Sequence, residues 1–398
     1  MYRNVTYIKI EQQYSTDWPA RKTVLNFDFV THFEANDTWR DLTLKGKITL
    51  PKNLYFRDEN NKLQPLNGTN INIGGFSSSA PLFLRGDKVT ITAGYKYYDK
   101  EHREVEETAQ YFAGYITKVG SKKPIELELE NNMWILKQTP AAVRTYAKTD
   151  SLEYIMNDLI KGVKGAKFTV KTFGITSFGA FSTGHETIGD VLYRMQKTYR
   201  FQFYFIGNEL RGGMLVYNYN NIVKENFHFQ QNIISDDLEY SRIDDINLSA
   251  IAHNTIETDN GECADGTRKT KKVRLEVLIT IKHRPVNGEL PYTIREIKKG
   301  DVRPENTDGA RAEYYYINAT TIAELAAMAY EELKQYYYTG FRGGFTTFGL
   351  PFMKQGDTAA IVDEVLPERN GNYRVRSVEY TGGIDGLRQN IKLDFKLK

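Results

Sequence analysis

Apolar and polar residues alternate strictly over several stretches of the chain, and a period of two puts alternate side chains on opposite faces of a half-buried strand. Ile125, Leu127 and Leu129 alternate with Glu126, Glu128 and Glu130, and Ile391, Leu393, Phe395 and Leu397 alternate with Lys392, Asp394 and Lys396. Leu25, Phe27 and Phe29 are spaced by Asn26 and Asp28, while Leu275, Val277, Ile279 and Ile281 line one face of a further strand. One wet face and one buried face is the pattern of antiparallel sheets. Both ends of the chain read as β.

The middle changes period. Leu152, Ile155, Met156, Leu159 and Ile160 lie at helical spacing within 151–161, with Asp150 placed to cap them. Ile188, Val191, Leu192, Met195 and Tyr199 repeat the pattern within 186–200. Strands at 201–205 and 214–219 flank a turn, and a third helix is predicted over 321–336. These periods predict a mainly β protein with an α+β insert. Two similar antiparallel β-barrel domains, 1–137 and 236–398, flank a small α+β module at 138–235. The polar, turn-rich stretches 252–271 and 298–312 read as long loops at a sheet rim.

A weak repeat links the two β regions. Pro81 precedes Gly86-Asp87 and a strand from Lys88; Pro351 precedes Gly356-Asp357 and a strand from Thr358, at identical spacing. A glycine-led strand follows in each, from Gly114 and from Gly371, and each copy closes on an alternating strand. A turn needs a permissive backbone at Gly86 and Gly356, and the following Asp accepts hydrogen bonds from nearby N–H groups. Four features in one order favour duplication over the chance recurrence of a common turn. Arg85-Gly86-Asp87 also spells a cell-adhesion tripeptide, but the second copy keeps Gly-Asp without the Arg.

Composition agrees with a β-rich chain: 27 Tyr, 21 Phe and 31 Gly among 398 residues. The 53 basic and 50 acidic residues nearly cancel, which argues against a dedicated nucleic-acid binder. No apolar run is long enough to span a bilayer. Cys263 stands alone, so no internal disulfide and no thiolate metal site are expected, as suits a reducing cytoplasm.

Signatures of chemistry are missing. Phosphate-binding glycine loops, the Gly-x-Ser-x-Gly elbow and zinc-type histidine pairs do not occur. Asp259-Asn260-Gly261-Glu262 lacks the oxygen spacing of a calcium loop. Asp236-Asp237 and Asp244-Asp245 read as solvated strand ends rather than a catalytic carboxylate pair. No catalytic, cofactor-binding or metal-binding residue is assigned.

Gly344-Phe345-Thr346-Thr347-Phe348-Gly349-Leu350-Pro351, then Gly356-Asp357, Gly371-Asn372-Tyr373-Arg374-Val375 and Gly386-Leu387-Arg388-Gln389, resembles the closing segment of baseplate hub proteins of contractile phage tails. That late control or tail hub family is related to the hub part of type VI secretion spike proteins. Phe112–Val119 with Ile125–Glu130 and Trp134–Lys137 is similar to an earlier part of the family, and Ser151–Ile155 and Glu186–Leu192 to its middle module. The resemblance spans about residues 110–398. It implies a non-enzymatic structural protein without cofactor: a homotrimer with two similar β-barrels per subunit, adapting a sixfold tail tube to a threefold spike. Its partners would be the tube protein, a separate spike protein because this chain stops at Lys398, and a tape-measure protein. Its place would be the virion tail baseplate, assembled in the host bacterial cytoplasm. Glu126 and Glu128 become candidates for the lumen of the ring, as like-signed carboxylates. A tail-associated cell-wall or capsule-degrading enzyme is the reading set against this one, and a carbohydrate-binding tail protein a third.

Overall fold

A computed structural model describes residues 3–397 apart from 20, 22–23, 52–53, 58–62, 67–80, 122–123, 148, 174–180, 200, 214–220, 263–267, 284, 286–287, 303–309 and 317–318. The expected strand at 214–219, residue Cys263 and residues 303–309 of the loop expected at 298–312 fall outside the described residues, while 310–312 open the strand Ala310–Tyr315.

The protein is mainly β with few helices. Its alternating stretches form strands as the pattern requires, with Ile125, Leu127, Leu129, Ile391 and Leu393 buried. Burial falls short of the pattern at five positions. Phe27, Leu275, Phe395 and Leu397 are only half-buried, and Phe29 lies past the end of its strand (Val24–Phe27) and is exposed.

Neither β region closes into a barrel among the described residues. Thirteen strands form one open sheet that runs through both regions. Its main path begins with Ile233–Asp236, Gly344–Phe348, Arg388–Lys396 and Gly371–Gly383. It crosses to His32–Asp37 and continues through Lys45–Thr49, Glu126–Glu130, Glu104–Val119, Lys88–Tyr98, Arg3–Glu11 and Val24–Phe27. The crossing explains the difference from expectation. Asp37 faces Val378 and His32 faces Gly383 in register, so a strand of the first region is hydrogen-bonded to the second instead of closing its own sheet. Residues from both regions then share one hydrophobic core, with Phe33, Ile48, Ile91 and Leu127 from the first and Phe345, Tyr373, Val378 and Ile391 from the second.

Two further cores flank this one. Helices α1 (Met133–Gln138), α2 (Leu152–Ile160) and α3 (Ile188–Tyr199) pack with the strands Thr169–Phe173, Gln202–Ile206 and Glu209–Gly213 around Met156, Leu192, Met195 and Phe203. Ser151, not Asp150, caps α2: its hydroxyl accepts from the Tyr154 N–H, while Asp150 accepts from the Ala147 N–H at 2.8 Å. Asp150 sits one residue too early for the cap position.

The third core corrects the loop expected at 252–271. Ser249–Glu262 and Arg268–Ile281 are two long paired strands, joined by Tyr292–Glu296 and Ala310–Tyr315 in a separate four-stranded sheet. Helix α4 (Ile322–Leu333) covers one face of this sheet, burying Leu325, Ala326 and Ala329 against Ala250, Ala252, Val277 and Ile279. The hairpin extends beyond its covered face, so its outer half is polar on both sides and shows no alternation. Thr321 and Glu324 form a capping box that fixes the start of α4, and Lys334–Tyr336 winds on as a 3-10 turn.

Candidate functional site

The Pro-to-Gly-Asp loops are built alike. Gly86 and Gly356 both have positive φ, +97° and +83°, where a Cβ would be strained. The Gly86 N–H donates to the Ile116 carbonyl (2.7 Å) and the Ile116 N–H to the Asp87 carbonyl (2.8 Å). In the other loop the Gly356 N–H donates to the Val375 carbonyl (2.9 Å) and the Val375 N–H to the Asp357 carbonyl (2.9 Å). Each Asp side chain also accepts from the N–H three residues back, Leu84 at 2.8 Å and Lys354 at 2.7 Å.

This geometry equates Ile116 with Val375, and the register beyond it matches step for step. Ile116 faces Leu129 and Lys118 faces Glu128, leaving Thr117 as a bulge. Val375 faces Leu393 and Ser377 faces Lys392, leaving Arg376 as a bulge. Gly114 and Gly371 do not coincide on this scale: Gly371 matches Phe112. Gly114 answers a close approach, since a Cβ there would lie 2.1 Å from the Glu130 carbonyl oxygen, whereas one at Gly371 would meet side chains instead of backbone, the flexible end of Lys396 at 2.6 Å and the Tyr373 hydroxyl at 3.1 Å. Pro81 and Pro351 both present carbonyls to side chains, to Arg21 Nε (3.0 Å) and to Gln389 Nε2 (2.9 Å).

The loops differ in what holds their aspartates. Asp87 is fully buried and ion-paired with buried Arg21 at 2.5 Å, whereas Asp357 pairs with half-exposed Lys224 at 2.6 Å. Nothing local in the sequence marks Arg21, which lies 66 residues from its partner.

The second loop docks at the seam between the two β regions. There Tyr111, Phe352 and Tyr380 form a ring cluster with centroids 4.7–5.1 Å apart. The Tyr111 hydroxyl donates to the Gly349 carbonyl (2.6 Å) and the Tyr380 hydroxyl to the Met353 carbonyl (2.7 Å). Burial pushes the Tyr380 phenol well above its ordinary value, so both hydroxyls stay protonated donors. Asp37 is half-buried at the same seam. Loss of water pushes its carboxyl up from the usual range, and the Gln355 N–H it accepts at 3.0 Å opposes that only in part.

A carboxyl raised in the folded state favours folding below the ordinary carboxylate pKa, and that contribution is lost as pH rises through the raised value. Asp37→Asn, which keeps an acceptor for Gln355, is therefore expected to raise the melting midpoint at neutral pH. The gain should vanish towards about pH 4, near the ordinary Asp value. A destabilised variant at neutral pH, measured by thermal melts across that range, contradicts this.

The strand Glu126–Glu130 carries its carboxylates outward, but not as a like-signed row. Glu126 pairs with Lys47 (3.1 Å), Glu128 with Lys118 (2.7 Å) and Glu130 with Lys137 (2.8 Å). Among the described residues no cluster of three His, Cys, Asp or Glu could hold a metal ion, and no helix is long and apolar enough to cross a membrane.

This architecture is the fold of phage tail proteins, followed from end to end. The tail protein of Neisseria meningitidis MC58 matches 99% of this chain over 97% of its own length, with TM-score 0.55 and 11% identity. The 43 kDa tail protein of prophage MuSo2 from Shewanella oneidensis matches 99% of this chain over 98% of its own, with TM-score 0.53 and 11% identity. No protein-family model matches the chain, and neither does any curated protein sequence.

Proposed function

We propose that the chain is a structural tail hub protein: a homotrimer whose subunits each contribute two repeated β units to a ring of approximate sixfold symmetry. The ring adapts a sixfold tail tube to a threefold spike in the baseplate of a virion. The observation that carries this reading is the end-to-end match in fold to tail proteins. The paired loops support it, because two hydrogen-bonded turns with a bulge at the same place are what a duplicated unit would leave. On this reading residues 1–137 and 236–398 are the repeated units and 138–235 the module between them. Pro81, Gly86, Asp87, Gly114, Pro351, Gly356, Asp357 and Gly371 are structural rather than catalytic.

A ring needs a heterologous interface that closes at three copies. Among the described residues the sheet ends in edge strands at Ile233–Asp236, Val24–Phe27 and, on its side branch, Glu225–His228, and bare edges favour pairing with another chain. Tube, spike and tape-measure proteins would be the partners.

Mass measurement in solution over a concentration series, followed by electron microscopy of the assembled species, tests this. A closed threefold ring that buries more than about 2,000 Å² per interface is expected. A closed twofold dimer over the same edges contradicts it.

A further inference from the structure

The two bulge residues each line a cleft, and the clefts occupy matching places in the two β units. Thr117 opens onto a cleft of about 570 Å³ that also takes in Lys45, Gly46 and Leu129. Arg376 opens onto one of about 1060 Å³ that takes in Arg342, Gly343 and Leu393. Leu129 faces Gly46 in register, and the Leu393 N–H donates to the Gly343 carbonyl at 2.9 Å, so the correspondence holds residue by residue.

Their charges are opposite. Among the described residues the first cleft carries Glu34, Glu128, Glu130 and Glu379 against Lys45 and Lys47; with Glu128 paired to Lys118, Glu130 to Lys137 and Lys47 to Glu126, Glu34 and Glu379 are left against Lys45. The second carries Arg40, Lys197, Arg274, Arg342 and Arg376 against Glu313, Glu332 and Asp394. Asp394 is already neutralised by Arg40 at 2.6 Å, Glu332 accepts the Tyr316 hydroxyl, and Glu313 lies 3.1 Å from His253. Arg274 is taken by Glu276 at 2.9 Å.

Among the described residues three of these cations have no carboxylate partner. Arg342 spends one nitrogen on the Tyr336 and Tyr338 carbonyls (2.9 and 3.1 Å), and its other terminal nitrogen is buried with no hydrogen-bond partner. Lys197 lies over the Tyr193 ring at 5.4 Å and makes no ion pair among the described residues. Arg376 is exposed and makes no hydrogen bond or ion pair among the described residues. In the first unit the bulge residue is instead satisfied within the sheet, since the Thr117 hydroxyl donates to the Glu128 carbonyl at 3.1 Å. Bulges re-aim side chains, and here the same bulge aims a guanidinium in one unit and a self-satisfied hydroxyl in the other.

We propose that the second cleft is a docking site for an acidic segment of a partner protein, held by Arg342, Arg376 and Lys197. Its counterpart in the first unit, with its excess of carboxylates, rejects such a segment. The volume suits several residues of extended chain rather than one small anion, and guanidinium forks match carboxylates in pairs. A partner that uses this site sees one site per chain rather than two, so the repeated units are not equivalent to it. The cleft is complete within one chain, so the inference does not require the assembled ring. Oligomeric mass measured on the same samples separates its failure from that of the hub reading.

The test is fluorescence anisotropy of a labelled pentaglutamate peptide with the full chain. Saturable binding that weakens at high salt is expected, and Arg376→Thr, which installs the residue of the first unit, should weaken it about tenfold. Arg376 is exposed, so that variant should melt as the parent does, and Arg376→Lys should keep part of the binding. Unchanged affinity in Arg376→Thr overturns the proposal. So does equal binding of pentalysine, and so does full displacement of the peptide by equimolar pyrophosphate, which would make the cleft a small-anion site.

Discussion

Asp87→Ala is expected to destabilise the protein by about 3–5 kcal/mol, the cost of leaving a buried charge without its partner. Arg21 and Asp87 have side chains 2% and 0% exposed. The guanidinium also donates to the Pro81 and Leu82 carbonyls (3.0 and 3.2 Å), and the carboxylate accepts from the Leu84 and Gln13 N–H groups (2.8 and 3.0 Å). Removing the carboxylate strands a buried cation and two part-buried N–H groups. Arg21→Met in the same chain should recover part of the loss, because an apolar side chain tolerates that site better than an unpaired cation. Asp357→Ala is the built-in comparison, with the same loop and a pair open to water. It should cost only about 1–2 kcal/mol. Urea midpoints of the four chains decide the matter, and equal losses in the two loops would show that burial is not what separates them.

Leu127→Ala is expected to cost about 2–5 kcal/mol, and Glu128→Ala, one residue along the same strand, less than about 0.5 kcal/mol. Leu127 is fully buried in the core shared by the two β regions. Its truncation removes apolar contacts and leaves a cavity that close-packed neighbours cannot fill. Glu128 points outward to Lys118, and both side chains are more than half exposed, so their ion pair contributes little. A Glu128→Ala loss as large as that of Leu127→Ala would mean that the outward face is covered, as it would be at a subunit contact.

Much of the fold was legible because it is local. Alternation needs only neighbouring residues, so the strands at 125–129 and 391–393 and the buried faces of α2, α3 and α4 follow from the sequence. Even the bulges left a trace: Ile116 and Val119, like Val375 and Val378, are spaced by three where alternation requires two. The outer part of the hairpin, within 252–271, escaped because it is largely polar on both faces, and periodicity reports burial on one side rather than backbone pairing; the inner strand through Leu275, Val277, Ile279 and Ile281 was legible.

By itself, then, the sequence determined the strands that alternate, the helices α2, α3 and α4, and where two matching turns lie. It did not determine that His32–Asp37 would pair with Val378–Gly383 and leave the sheet open. Nor did it reveal that Arg21 would neutralise Asp87, or that matching clefts would carry opposite charge. Those outcomes depend on contacts between residues 66 to more than 300 positions apart, such as Arg21 with Asp87 and Asp37 with Gln355. Periodicity repeats over two to four residues, and such distances are bridged only when the whole chain packs.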